Sequence, residues 1–590
     1  MVLEAETPAE TLTLSETRPR RALSPNEEEQ CGQKGCVNCT SDGQSQTSQQ
    51  LAVEPVTDWS QYTLKKRLWR PCVTDFNRII GFRYRGSGTA IDPYIVQWLD
   101  SDEENPKAYP LRFKVVLSSL ISFMCLCVSL ASSAYTGATE HIMADFHCSQ
   151  EVFLLGLTFF VLGFGTGPLV FAPLSEVLGR RNILLISLVF YTLWTGVCIA
   201  AQNIQSLIVF RAFAGTIGSA VMVVPGGQVA DMFEAEQRGV AMAVFSAAPF
   251  LGPTLGPFIG GFLSDGAGWR WLFGLLTLYA ACLTVLGIIF VPETYAPVLL
   301  RNRGKLLSKV TGKIYMTKID LEHPPDFHKM VRNALVLPWA LLFREPVVLL
   351  LSIYMAVVYG TLYLCFAAFP IVFQEGHGWN AGVGGLAFLG IMAGIFIGIA
   401  LIIFDNRRYS RLHRETGGFA PPEARLPPVI VGGVFGIIGL AWFAATTSPS
   451  VHWIVPILAG VPFGTGFLLI FMSCTNYLID SYVIYAASVM AANSILRSIF
   501  GAVFPLFTVY MYENLGTHWA SAVPGFIALA CFPFPIFFYK YGAVIRRKCK
   551  YSAQAARYLD SLKSDLERQK SRGEGNEHGA MSDKENSNIA

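Results

Sequence analysis

The sequence predicts an all-α membrane protein of twelve transmembrane helices arranged as two pseudo-symmetric six-helix bundles. Three observations predict it: a shortage of charge, a regular series of long apolar runs, and a glycine–aspartate spacing that occurs twice. Hydrophobic residues make up 52% of the 590 positions and charged residues only 15%. A soluble domain is about a quarter charged, so most of this surface faces something other than water. The net charge of +3 is small for the length, and no basic stripe is interleaved with aromatics, which argues against a nucleic-acid partner.

Residues 1–112 are polar and rich in Glu, Ser, Thr and Gln. Such a segment buries too little apolar surface to offset its ordering entropy, so a disordered tail is expected. Cys31, Cys36 and Cys39 lie in it. Three thiols fall short of the four ligands of a structural zinc site, and no metal is expected. Most other cysteines, such as Cys125, Cys198 and Cys474, stand alone in apolar runs and read as small buried hydrophobes. The first apolar stretch begins near Phe113, too late for a cleavable signal.

Apolar runs follow at 113–135, 152–173, 182–201, 206–230, 239–263, 271–291, 346–373, 382–404, 429–447, 453–477, 484–508 and 519–541. Each is near the ~20 residues that a helix needs to cross the hydrocarbon. The break at 292–345 divides them six and six, into an N-terminal bundle at 113–291 and a C-terminal bundle at 346–541, and 542–590 is a charged tail. Arg180, Arg181, Arg238, the cluster from Arg301 to Arg344, the group from Arg407 to Arg425 and the run Arg546–Lys550 all fall on one face. The opposite face has only Arg270. Basic loops stay inside, so both termini are expected in the cytoplasm, where the sequon at Asn38 would go unused.

Gly215 precedes Asp231 by 16 residues and Gly252 follows it by 21; Gly464, Asp480 and Gly501 reproduce both intervals. Two parallel repeats related by an axis along the membrane normal are a transporter architecture, with the substrate between the halves near mid-membrane.

Several segments are recognisable. Ala172 to Arg181 resembles the loop between spans two and three of the major facilitator superfamily. Gly179, Arg180 and Arg181 match its pattern, Glu176 replaces an aspartate, and Val177 stands where an arginine is usual. The resemblance implies a conformational latch in which the arginines meet a carboxylate on a neighbouring span. Asp231 is the expected partner, with Asp480 its counterpart in the second half; the alternative is that the arginines only set topology. Leu207 to Gly218 is similar to the superfamily's span-four motif. The resemblance gives Arg211 a part in proton coupling, against the alternative of an arginine snorkelling to the membrane edge. An intramembrane charge is in any case expensive enough to mark a functional candidate.

Gly252, Pro253, Gly256, Pro257, Gly260 and Gly261 form the pattern of the superfamily's drug:proton antiporter motif. The prolines remove helix hydrogen bonds and the glycines make a smooth face at helical spacing, suited to a hinge and a seal. Ile95–Leu99, Asn105 with Pro106, Gly268–Trp271, Pro292–Pro297, Pro422–Pro428 and Arg497–Pro505 look like the fungal twelve-span drug:proton antiporter family. The likeness runs from about Ile95 to Gly542 and covers multidrug and azole pumps, polyamine exporters and toxin exporters. It implies a monomeric plasma-membrane exporter with partners limited to lipid, protons and a small molecule.

No phosphate-binding loop of the Gly-x-x-x-x-Gly-Lys-Ser/Thr type is present, so no nucleotide or other cofactor is expected and the drive should be an ion gradient. No His/Asp/Ser cluster at a helix end suggests an enzyme. The spans hold no mid-membrane carboxylate, which leaves the proton carrier unassigned. It also favours lipophilic cargo over a polyamine, a multiple cation that would want acids along its route. Tyr135, Tyr354, Tyr359, Tyr363, Phe471, Asn476, Asn493 and Arg497 are the candidate cavity lining. A polyamine exporter of the same fold and a non-transporting membrane sensor are the alternatives.

Overall fold

The computed structural model describes residues 72–234, 237, 241–242, 244–322, 327–417, 420–561 and 564. The Cys31, Cys36 and Cys39 tail, Asn38 and Arg238 lie outside them. Before the first apolar helix the chain forms α1 (Phe76–Gly81) and β1 (Tyr94–Val96). The first half then holds α2 (Leu111–Ala134), α3 (Thr139–Phe146), α4 (Gln150–Leu178), α5 (Arg180–Val197), α6 (Ile204–Met232), α7 (Ala248–Ala267) and α8 (Trp269–Phe290). The connecting segment carries α9 (Ala296–Thr311), β2 (Tyr315–Thr317) and α10 (Phe327–Arg344). The second half holds α11 (Pro346–Phe369), α12 (Phe388–Glu415), α13 (Pro427–Thr446), α14 (Ile454–Ser481), α15 (Ala486–Cys531) and α16 (Pro533–Lys548).

Ten helical stretches among the described residues are long and apolar enough to cross a membrane. The last runs through α15 and α16 and breaks at Gly516, whose φ of 74° and ψ of 164° leave the helical region, so it reads as two crossings. α7 falls outside the ten because its glycines and prolines dilute its hydropathy. With that break and α7, the structure is consistent with twelve crossings.

The packing repeats between the halves. In the first, α2 lies on α7, α4 on α6 and α5 on α6. In the second, α11 lies on α15, α12 on α14 and α13 on α14. Between halves, α4 packs on α15 and α12 on α7. The glycines that repeat in sequence repeat in role. A Cβ at Gly215 would strike the Phe160 carbonyl in α4, and one at Gly464 would strike the Ile391 carbonyl in α12. A Cβ at Gly252 would lie 2.6 Å from the Leu130 nitrogen in α2, and one at Gly501 would lie 2.9 Å from the Tyr359 ring in α11. Small residues permit this backbone approach, since lipid supplies no hydrophobic drive between helices.

The expected structureless tail to residue 112 needs correction over residues 76–110. β1 pairs in parallel with β2, with Tyr94 opposite Tyr315 and Val96 opposite Thr317. Ile79, Tyr84, Val96, Leu99 and Leu307 form a small core apart from the main one. Beside it Arg303 donates to both oxygens of Asp102 (2.6 and 3.1 Å) and to Glu104 (2.7 Å). Burial opposes the Asp102 charge, but the hydrogen bonds from Arg303 and Thr74 outweigh it and hold the carboxyl below the usual carboxylate range. Composition missed this cap because its strand partner lies more than 200 residues downstream. In the C-terminal tail, where a partial helix around residues 555–570 was expected, residues 550–561 are helical past α16, and most of the remainder of that stretch lies outside the described residues.

Candidate functional site

At the arginine-rich end, α4 stops at Gly179, whose φ is +98°. Only glycine suits that conformation readily, and a Cβ there would also meet the Glu293 carboxylate. α5 starts at once, and its first N–H groups need acceptors. Glu293, just past α8, supplies them: it accepts from the N–H groups of Arg180 (3.0 Å) and Arg181 (3.1 Å). The Arg180 guanidinium turns back to donate to Ser175 Oγ (2.7 Å), and lies 3.5 Å from Asp231, 3.6 Å from Glu176 and 4.8 Å from the centre of the Tyr295 ring. Arg181 donates instead to the carbonyls of Val291 (2.7 Å) and Ile288 (3.1 Å). Arg180 and Asp231 thus stand within ion-pair distance without a hydrogen bond between them, and Glu293 holds the backbone of both arginines.

Asp480 does not join that group. Its partners are Arg425 (3.0 Å) and the Tyr409 hydroxyl (3.0 Å), with the Arg425 guanidinium 3.3 Å from the Tyr409 ring centre. Glu423 next to them accepts three hydrogen bonds of 2.6–3.0 Å from Arg546. Each half therefore carries its own charged cluster, with Asp480 in the second half as Asp231 is in the first. Glu293 and Glu423 were missed, although each follows a proline at a helix boundary, a position that fixes the chain and aims the next side chain.

α7 presents its glycines to α2. A Cβ at Gly256 would lie 2.6 Å from the Ala134 nitrogen, and one at Gly260 would strike the Ala134 carbonyl. Ser129 and Ser133 in α2 donate to the carbonyls of Ala248 (3.2 Å) and Gly252 (3.4 Å). Gly261 faces the other half, with a Cβ there 2.6 Å from the Ala381 carbonyl carbon. Pro253 and Pro257 both sit inside the helix.

The two buried arginines differ in surroundings. Arg211 is 1% exposed. Its Nε donates to the Gly156 carbonyl (3.0 Å), and its Nη groups donate to the carbonyls of Ala131 (3.4 Å) and Ser132 (3.3 Å). Tyr135 covers it at 4.1 Å and Phe160 at 4.8 Å. Arg211 therefore ties α6 to α2 and α4, and Tyr135 belongs to its shell rather than to a cavity wall. Arg497 is only half-buried, with its guanidinium over Tyr359 (4.8 Å) and Phe471 (5.1 Å). Tyr359 donates to the Tyr363 hydroxyl (3.2 Å), which lies 3.1 Å from Ser132 Oγ across the interface between the halves.

Tyr359, Tyr363, Phe471 and Arg497 thus come together; Asn493 is one turn away on α15, and Asn476 is half-buried further along α14. Tyr354 does not join them. It lines a small apolar pocket within the second half, with Val358, Gly433, Phe463 and Phe467. Phe250 was missed: it bridges the halves with edge-to-face contacts to Phe467 (5.1 Å) and Phe471 (4.7 Å). A lone phenylalanine ahead of a glycine motif carries no sequence signal for such a contact.

Two repeated helical bundles enclosing a few charged and aromatic groups define a membrane transporter. The Major Facilitator Superfamily model matches residues 121–505. The chain belongs to that superfamily. It is 52% identical over 485 residues to the "MFS-type efflux pump MFS2" of Trichophyton rubrum, covering 82% of each chain. It is 53% identical over 490 residues to the "Major facilitator superfamily multidrug transporter mdrA" of Aspergillus fumigatus, covering 83% of this chain and 81% of that one. It is 48% identical over 519 residues to the "Efflux pump FUB11" of Gibberella moniliformis, covering 87% of each. In fold it is similar to the xylose transporter XylE of E. coli in a partially occluded inward-open form, with a TM-score of 0.52 at 16% identity over 73% of this chain and 99% of that one.

Proposed function

We propose that this chain is a proton-coupled antiporter that exports lipophilic drugs, fungicides, or a fungal toxin or secondary metabolite. It works as a monomer in the plasma membrane with both termini in the cytoplasm. The observation that carries the reading is the α7 glycine face, seated backbone to backbone on α2 at Gly252, Gly256 and Gly260. That face lets one helix pivot on another while excluding water and ions. The efflux names of relatives about half identical over most of the chain support the outward direction. In this reading Arg180 with Asp231, and Arg425 with Asp480, latch the arginine-rich end, and Arg211 takes part in proton coupling.

The test is accumulation of a labelled azole, a lipophilic dye and spermidine in pump-deficient yeast expressing the chain, with and without a protonophore. Lower azole or dye accumulation, reversed by the protonophore, is expected. Lower spermidine alone would replace the reading with polyamine export, and no change in any of the three would remove the drug and fungicide part of it, leaving a narrow metabolite exporter or a non-transporting protein.

A further inference from the structure

Arg497 lies 11 residues into α15, about 16 Å along the helix, and therefore deep in the apolar layer. No carboxylate among the described residues pairs with it, and none pairs with Arg211. Two uncompensated cations in such a medium are costly, and each persists only where something offsets its charge. For Arg211 the offset is complete within the protein, through backbone carbonyls along its edge and rings on its faces.

For Arg497 the protein supplies only the faces. Tyr359 and Phe471 cover them, but the edge is unpaired: the buried Nε has no hydrogen-bond partner, and Nη2 reaches only Ser494 Oγ at a long 3.5 Å. Nε and Nη2 together are the side of a guanidinium that a carboxylate grips with two parallel hydrogen bonds. One turn toward the start of the helix, on the same face, Asn493 is 1% exposed with its Oδ1 unpartnered, an acceptor free for a donor on the same ligand.

We propose that Arg497 is an anion-reading subsite, so that the pump selects compounds carrying a carboxylate or similar compact anion on a flat apolar body and rejects cations. The inference rests on the export reading above. The carboxylate takes the unpaired Nε–Nη2 edge, and the apolar body lies among Tyr359, Phe471 and their aromatic neighbours. A cation brought to the same place would meet an unscreened like charge.

The test uses three probes of nearly one size: 2-naphthoate, 2-naphthamide and 2-naphthylmethylammonium. Their export is measured from loaded yeast expressing the full chain, wild type or with Arg497→Gln or Arg497→Lys. Binding to the purified full chain is read in parallel as a thermal shift. The naphthoate should be exported and bound best, the amide less, and the ammonium not at all. Arg497→Gln should weaken naphthoate binding and export about tenfold or more while leaving the amide within about twofold, because a hydrogen-bonded charge contact contributes roughly 1.5–3 kcal/mol. Arg497→Lys should recover only part, since an ammonium cannot grip two oxygens side-on.

Equal handling of naphthoate and naphthamide by the wild type would overturn the proposal. So would equal loss of both probes in Arg497→Gln. Naphthoate binding without export in the wild type would support the subsite while removing the export reading, which keeps the two failures apart.

Discussion

The carboxylate of Glu293, at the end of α8, accepts the backbone N–H groups of both Arg180 and Arg181, the first two residues of α5. It also accepts from the N–H groups of Thr294 and Tyr295, each at 3.0 Å. One acid thus caps one helix, closes the turn after another, and seats Arg180 for its contact with Asp231. A negative charge at a helix start also complements the helix dipole. Glu293→Ala should lower stability by about 1–2 kcal/mol, the usual cost of a lost N-cap, read as a lower Tm in detergent. Asp231→Asn should leave Tm nearly unchanged but reduce export, because it removes the ion pair and spares the cap. Equal Tm losses in the two variants would show that the cluster is one structural unit rather than a cap and a separate latch.

Arg211 separates a coupling role from a stapling role. If the proposed coupling holds, Arg211→Ala should abolish protonophore-sensitive export while the protein still reaches the membrane. Arg211→Lys should also fail, because a point-charge ammonium cannot serve carbonyls on two helices at once. The measurement is export together with surface localisation. Wild-type export from Arg211→Ala would remove the coupling role, and loss of surface protein in both variants would show that the bonds to Gly156, Ala131 and Ser132 mainly hold α6, α2 and α4 together.

How much of this the sequence showed depended on range. The crossings were legible because hydropathy is a local sum, and the repeat because both halves keep the same intervals, such as those from Gly215 to Asp231 to Gly252. The Arg180–Asp231 pair was legible through a motif. Glu293 was not, since a cap made by a residue 113 positions downstream leaves no periodic trace. The assignment of Tyr135, Tyr354 and Tyr359 to one cavity treated aromatic type as position. A step of five residues from Tyr354 to Tyr359 turns a helix by well over a quarter circle, and the two rings face different neighbours. The cap at 76–110 was hidden because its few apolar residues become a core only when β1 meets β2 and Arg303 meets Asp102.

The α7 face gives a graded prediction. A Cβ at Gly256 would lie 2.6 Å from a backbone nitrogen and still closer to Ser133 Oγ, and a backbone cannot swing away as a side chain end can. Overpacking of this kind costs typically 1–3 kcal/mol per site. Gly256→Ala should lower Tm and reduce export severalfold, and Gly256→Leu should bring export below about a tenth of wild type. A Cβ at Gly266 would meet nothing within 4 Å, so Gly266→Ala should be neutral in both assays. Full export by Gly256→Leu would reduce the motif to ordinary packing.

The cap predicts both a mutational and an acid response. Arg303 offsets the charges of Asp102, whose side chain is fully buried, and Glu104. Arg303→Met would keep the stem but remove the guanidinium that faces the buried Asp102 carboxylate, and breaking a buried pair on one side costs about 3–5 kcal/mol. A core of five residues should not withstand that loss. Trypsin at neutral pH should then cut at Arg78, Arg83, Arg85 or Lys107 at least about tenfold faster, with the membrane core still intact on gels. Asp102 is held below its ordinary value in the folded cap, so its contribution is fully present above the ordinary carboxylate range and is lost as pH falls through the lowered folded value. Hydrogen exchange of residues 94–104, corrected for intrinsic rate, should therefore be flat from pH 7 down to about 5 and accelerate only below about 4. Acceleration already near pH 6 would assign the transition to another group and would break the link between the cap and Asp102.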